Sequence, residues 1–442
     1  MSVRSGIATV ERVRELGATE FLMDAMEQRG GIHLVRMIDF DGPVDVEVLE
    51  TAFGQLVARR PLLHVRIDRA GQGRPVFVRD DSVSPPFSVV ERRDPSDWVR
   101  EFDEELNTPI SLDGDAPVRV RVLASDDPGG EIIVTAAHSV CDGRSLFVFC
   151  RDLLDEYEAL MAGGGTSCAP VGTIPPPLEA LLPEWLSGER LEAMIEDFLV
   201  CATETAAEPI VLFPLRPHDA GPAPASHVLT YSIPPAETAA LRHAARGHGT
   251  SVTGAVAAAE AQALAELSRP TSDQWVVPAV TIDIRPHLRE PVPLADLGAY
   301  PGNAFGRHKE VGSMDTWVLA RDVTTQVTAK LERGHHLVMA VLGERFADQF
   351  VTVDRPIGSY SLANLGSQDL PVEGSVLRPR CIRGGAPLNV SRFPGVYSQA
   401  VTTAGTLWLT LVHVEPMLTG EVARAYGESV VDRLLSLARR SD

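Results

Sequence analysis

The sequence predicts an α+β protein built as two halves, and three observations carry that reading. Segments with the two-residue period of a half-buried strand alternate along the chain with segments whose apolar residues recur at helical spacing. The 442-residue length exceeds that of an ordinary single domain. A Pro-rich stretch, "EPIVLFPLRPHDAGPAPAS", separates two portions of similar make-up. The expected organisation is residues 1–208, a linker over 209–226, and residues 227–442.

In the first half, Val44, Val48, Leu49, Ala52, Phe53, Leu56 and Val57 share one face of a helix that Pro61 ends. "LLHVRI", "RPVFVR" and "FSVVER" read as short strands, and "DPSDWVREFDEELN" as a helix that Asp94 or Ser96 caps. "APVRVRVLAS" alternates cleanly, while "EIIVTAAH" is nearly all apolar and so reads as a strand buried on both faces. "RSLFVFCRDLLDEYEALM" follows as a helix. Beyond the Gly/Pro-rich "MAGGGTSCAPVGTIPPPLEALLP", two helices are expected, at "EALLPEWL" and "ERLEAMIEDFLVCATETA".

The second half repeats the alternation. "SHVLTYSI" is a strand, "PAETAALRHAARGHG" and the Ala-rich "SVTGAVAAAEAQALAEL" are helices, and "QWVVPAVTIDIRP" reads as one long strand. Helical patterns cover about 315–331 and 337–350. Strands are expected at "GSYSLANLG", "SVLRPRCIR", "GVYSQAVTTAG" and "TLWLTLVHV", before a closing amphipathic helix, "EVARAYGESVVDRLLSLARR".

Composition removes several function classes. A formal net charge of −20 argues against nucleic acid as a partner, since phosphate binding needs a basic surface. No apolar run is long enough for a transmembrane helix, and the charged N-terminal "MSVRSGIATVERVREL" lacks an apolar signal centre, so a cytoplasmic protein is expected. The five cysteines are scattered without CxxC or zinc spacing. The adjacent histidines of "GHH" point different ways on a helix and have no evident third ligand, so no metal site is expected.

One segment asks for a chemical explanation. In "AAHSVCDGRSLF", His138 stands at the end of the buried strand, four residues before Asp142 and Gly143. An imidazole facing a cleft is the natural general base near neutral pH. No GxSxG nucleophile or HExxH pair accompanies it, so direct transfer between two bound substrates is the simpler scheme. Asp142 reads as a scaffold for the turn, and Gly143 as a position of close backbone approach. A plain turn with Asp142 capping the next helix is the competing reading.

"HSVCDG" (138–143) resembles the HxxxDG hallmark of the condensation-domain and chloramphenicol-acetyltransferase-like superfamily. "LETAFGQLVARRPLLHVRI", "TIDIRPHL", "LGAYPGNAF" and "SYSLANLG" are similar to further family segments and fall in family order. The nearest likeness is to stand-alone bacterial polyketide-associated acyltransferases. The first histidine of the doubled form is Ala137 here, and the plant Asp-Phe-Gly-Trp-Gly motif is absent.

The resemblance implies two chloramphenicol-acetyltransferase-like lobes forming a V around a central tunnel, with acyl transfer from a thioester to a hydroxyl. His138 would be the base, and Asp142 would pair with Arg285 of "DIRP" to hold the motif turn. Gly143 would let the donor approach, and Asn303, Ser361 and Asn364 would line the tunnel. The resemblance implies no permanently bound cofactor. The donor would be a phosphopantetheine-linked thioester, on coenzyme A or on an acyl or peptidyl carrier protein as partner, and the acceptor a small molecule. An amide-forming condensation enzyme and a non-catalytic or repurposed member are the alternatives. Because both donors are anionic, a local basic patch is needed, and Arg378, Arg380 and Arg383 of "VLRPRCIR" are the candidates.

Overall fold

A computed structural model describes residues 11–71, 73–125, 128–164, 173–216, 223–352, 358–370, 375–389 and 395–439. The linker expected over 209–226 lies partly outside the described residues, as does Cys168. The chain first forms β1 (Glu11–Glu15), α1 (Ala18–Glu27), β2 (Leu34–Asp41), α2 (Val46–Ala58), β3 (Val65–Asp68), β4 (Val76–Arg79) and β5 (Phe87–Glu91). It continues through α3 (Asp97–Leu106), β6 (Val118–Ala124), β7 (Gly130–Ala136), α4 (Gly143–Met161) and α5 (Gly188–Ala207). The second half contributes β8 (Ala225–Ile233), α6 (Pro235–Gly247), α7 (Val252–Ser268), β9 (Pro278–Asp283), β10 (Pro301–Phe305), α8 (Thr316–Glu332) and α9 (His335–Thr352). β11 (Tyr360–Gln368), β12 (Arg378–Gly385), β13 (Val396–Thr403), β14 (Thr406–Glu415) and α10 (Gly420–Arg439) complete it.

Local chemistry sets the boundaries. Asp45 caps α2 by accepting from the Val48 amide at 3.1 Å, and Ser251 caps α7 through the Gly254 amide at 3.1 Å. Pro61–His64 winds into a 3₁₀ turn, so the strand read at "LLHVRI" starts only at Val65. "EALLPEWL" forms a 3₁₀ turn over Leu178–Leu181 and no α-helix, because Pro183 holds Leu182 extended. The long strand read at "QWVVPAVTIDIRP" shortens to β9, since Ile284 turns into helical dihedrals and Arg285–His287 is a 3₁₀ turn.

Five strands in the order β12-β2-β7-β6-β5 form the first sheet, and six in the order β10-β9-β11-β13-β14-β8 form the second. All seven residues of β7 are buried, as its apolar run requires at a sheet centre. A small sheet, β1-β4-β3, flanks the first half. α2 and α4 contribute to one core together with the first sheet; α6, α7, α8 and α10 contribute to another with the second.

The halves interlock more than the sequence predicts. β12 comes from the second half but pairs antiparallel with β2 at the edge of the first sheet. The crossing is driven by packing: Cys381 and Ile382 are fully buried, and Ile382 joins the first core. Leu22 of α1 and Leu337 and Val338 of α9 share a third core. Asp103 of α3 accepts from the Val228 amide of β8 at 2.8 Å. The cavity described below lies where both sheets contribute residues.

Candidate active site

β7 delivers the chain to Ala137, and a tight turn, with the Val140 amide on the Ala137 carbonyl at 3.2 Å, carries it to Asp142. Asp142 is the N-cap of α4: its Oδ1 accepts from the Arg144 and Ser145 amides, each at 3.0 Å. Its Oδ2 faces the other half, accepting from Arg285 Nη1 at 2.7 Å and from the Tyr300 amide at 3.1 Å. Arg285 also reaches Asp283 at 3.1 Å, and its guanidinium lies 4.4 Å from the Tyr300 ring centroid. Both partners of the Asp142–Arg285 pair are buried. Burial alone would raise the carboxyl pKa of Asp142, but the Arg285 charge and the Ser145 amide outweigh it and hold the group below its ordinary value.

His138 is half-buried and faces a cavity of ≈ 430 Å³. Its Nδ1 lies 2.9 Å from the Cys141 carbonyl oxygen. A carbonyl only accepts, so Nδ1 carries the proton and neutral His138 keeps the Nε2 lone pair free. The surrounding protein depresses the imidazole pKa, chiefly through burial, with the Asp142 charge opposing.

Asn303 and Ser361 line the same cavity, on β10 and β11. Asn303 lies on an edge strand, where it pairs with Thr281. Asn364 also lines the cavity, yet both ends of its amide are engaged. Nδ2 donates to Thr253 Oγ1 at 3.0 Å and Oδ1 accepts from the Gly366 amide at 2.8 Å, so this side chain ties β11 to α7. Gly143 is crowded by protein: a Cβ there would sit 2.8 Å from Arg36 Nη2.

The three arginines of "VLRPRCIR" do not form one patch. Arg378 is exposed and makes no ion pair among the described residues. Arg380 is held by Asp39 and Asp41. Arg383 is buried, its guanidinium lying 4.7 Å from the Trp98 ring centroid and 5.1 Å from that of Trp408. A strand joining a sheet turns alternate side chains inward, and the first sheet takes Arg383 with it.

Sequence reasoning missed Arg36, Tyr300, Tyr397 and Gln399, of which the last three line the cavity. Arg36 is fully buried on β2, and the signal for it was a lone arginine inside the apolar "LVRMI". Away from the cavity, Asp197, Cys201 and His335 bring ligand-type atoms within 4.8 Å of one another, so His335 does have the neighbours the sequence did not reveal. Arg333 already donates to Asp197 and lies 3.6 Å from the Cys201 sulfur, which supplies that cluster with a cation.

Comparison with known proteins agrees with this geometry. Residues 21–172 match the condensation-domain family, and residues 223–415 match the phthiocerol/phthiodiolone dimycocerosyl transferase C-terminus. The phthiocerol/phthiodiolone dimycocerosyl transferase of Mycobacterium leprae is 26% identical over 305 residues, covering 67% of this chain and 69% of that one. Polyketide synthase associated protein 5 from Mycobacterium tuberculosis superposes with a TM-score of 0.71 over 98% of this chain and 100% of that one, at 18% identity. The trichothecene 15-O-acetyltransferase from Fusarium sporotrichioides gives 0.76 over 96% and 95%, at 14% identity. The chain spans only a small part of the multi-module synthetases among its relatives, 4% of the chondramide synthase of Chondromyces crocatus. The mixed helix-and-sheet fold, the "HSVCDG" turn and these likenesses converge on the condensation-domain, chloramphenicol-acetyltransferase-like superfamily as what the chain resembles over both halves, and the chain is an acyltransferase.

Proposed function

We propose that this enzyme forms an ester by moving an acyl group from a pantetheine-linked thioester, on a carrier protein or coenzyme A, to an acceptor hydroxyl in natural-product or lipid biosynthesis. One observation carries the assignment of the base: His138 Nδ1–H is committed to the Cys141 carbonyl, which leaves Nε2 as a proton acceptor facing the cavity. In this reading Nε2 takes the acceptor's hydroxyl proton as its oxygen attacks the thioester carbonyl carbon. The tetrahedral oxyanion then collapses, the C–S bond breaks, and the imidazolium returns the proton to the departing sulfur. Asp142 and Arg285 keep the turn that aims His138 and take no part in proton transfer.

The relatives with ester-forming names support the hydroxyl acceptor, and the depressed pKa of His138 supports a neutral base at physiological pH. Two substrates held against one base in a confined site react with a large effective molarity, which supplies much of the rate without a covalent intermediate. The test is thiol release from acyl-pantetheine and acyl-coenzyme A thioesters, offered with alcohol and amine acceptors, with products identified by mass. Release that needs both an alcohol and His138 supports the proposal. Release with amines alone moves it to amide formation, and release indifferent to His138→Ala overturns it.

A further inference from the structure

Arg36 is a fully buried guanidinium that makes no ion pair with a carboxylate among the described residues. Two glycines make the slot it fills: a Cβ at Gly143 would lie 2.8 Å from Nη2, and one at Gly384 would lie 2.6 Å from Nη1. Within the slot Nη2 donates to the Gly143 carbonyl at 2.9 Å, and Nη1 donates to Gln399 Oε1. Arginine has only donors, so Gln399 must turn its oxygen toward Arg36. Its amide nitrogen is thereby fixed on the other side, where it donates to the Tyr397 hydroxyl oxygen at 3.1 Å. That oxygen is the acceptor in this contact, so Tyr397's own proton points elsewhere. Tyr397 is half-buried and lines the cavity that holds His138.

From this fixed sequence of donors we infer that Tyr397 is a further catalytic residue, an O–H donor to the substrate carbonyl, polarised by the buried charge of Arg36 through Gln399. The inference rests on the acyl-transfer reading above and names the group that meets the charge developing in that reaction. A cation at the end of a hydrogen-bond chain strengthens each link in turn, and a low-dielectric site magnifies the effect. Tyr397 remains a donor throughout. Burial pushes its pKa up against the opposing influence of Arg36 and Gln399, so the phenol stays protonated. As the thioester carbonyl becomes an oxyanion, the hydrogen bond from Tyr397 shortens and strengthens, and no proton is transferred. Tyr397 is placed to do this by its β-strand: β13 pairs it with Ser361 of β11, another cavity residue. Arg36 and Gln399 act through Tyr397 and are positioning residues.

The relay makes an unusual demand on Gln399. Replacing it by glutamate keeps an oxygen on Arg36, and even strengthens that contact, but removes the N–H given to Tyr397. The carboxylate would then accept the Tyr397 proton and turn the hydroxyl away from the cavity. Tyr397→Phe and Gln399→Glu are therefore expected to lower kcat alike, by about 10²-fold, with KM little changed. Thermal stability should hold in the first variant and hold or rise in the second. The double variant should be no slower than Tyr397→Phe, because both changes remove the same donor. The assay is thiol release from acyl-pantetheine with an alcohol acceptor, run beside His138→Ala. If His138→Ala is inactive while Tyr397→Phe and Gln399→Glu turn over like wild type, the relay is overturned and acyl transfer stands. If His138→Ala itself turns over normally, the acyl-transfer reading and the relay fall together. A loss in Gln399→Glu accompanied by unfolding also overturns the relay, since the effect would then be structural.

Discussion

Asp142→Asn separates a scaffold from an acid-base partner. The substitution preserves shape, and the retained oxygen can still cap the Arg144 and Ser145 amides. The new amide nitrogen replaces the oxygen that now accepts from Arg285 at 2.7 Å and from the Tyr300 amide at 3.1 Å. Donor then meets donor twice, inside a buried site. Breaking a buried ion pair costs about 3–5 kcal/mol, and Arg285 keeps Asp283 at 3.1 Å, so the loss should fall near 3 kcal/mol. With an unfolding entropy of about 2.1 cal/mol/K per residue over 442 residues, this lowers Tm by about 3 °C, or about twice that if one half melts alone. Differential scanning fluorimetry and the yield of soluble protein, measured with the thiol-release rate on the same sample, supply the comparison. Adding Arg285→Met should recover part of the stability, because the orphaned cation is removed too. A variant that melts with wild type but has lost turnover would refute the reasoning and place Asp142 in the chemistry. The pair also sets an acid limit. With its folded pKa depressed, Asp142 contributes stability above its unfolded pKa and loses it as pH falls through the folded value.

Three further outcomes are expected. His138→Ala should lose about 10²–10⁴ in turnover, and because burial depresses the pKa of His138, the acid limb of the wild-type kcat/KM profile should lie below pH 6.5; a limb at or above that value contradicts the assignment. Glu260 is fully buried in α7, and burial pushes its pKa up to about 8 against the opposing influence of the Ser398 hydroxyl. The folded state therefore holds a proton that the unfolded state loses above about pH 4.3, and stability should fall as pH rises toward 8, by up to about 1.4 kcal/mol per unit. In Glu260→Met that slope should vanish from denaturation measured between pH 5 and 8. For carrier-protein donors, Arg378→Glu should raise KM while leaving acyl-pantetheine unaffected. Arg380→Ala should change little, because Asp39 and Asp41 already occupy Arg380; an unchanged KM for carrier-protein donors in both variants would dismiss this face as a docking surface.

What the sequence disclosed and what it withheld have one physical origin. Periodicity reports which side of an element is buried, so β7, α4 and the Ala-rich α7 were readable from their apolar patterns alone. The "HSVCDG" turn was readable because a polar pair after an all-apolar strand is locally costly and so demands a purpose. Periodicity does not report against what an element is buried. "SVLRPRCIR" was correctly read as a strand, but nothing in it says that it leaves its own half to pair with β2. Nor does it say that membership of the first sheet turns the Arg383 side chain inward, toward Trp98 and Trp408. Arg36 is the converse case. Its position inside "LVRMI" marks it as a charge that must be satisfied internally, yet its partners are a carbonyl 107 residues away and an amide 363 residues away. Tyr397 and Gln399 lie two apart on an ordinary strand, where they share a face but carry no signature of chemistry. They acquire a direction only through Arg36, whose inability to accept a hydrogen bond orients the glutamine and, through it, the tyrosine. A site assembled by elimination among donors in this way is legible only once the fold has chosen the neighbours.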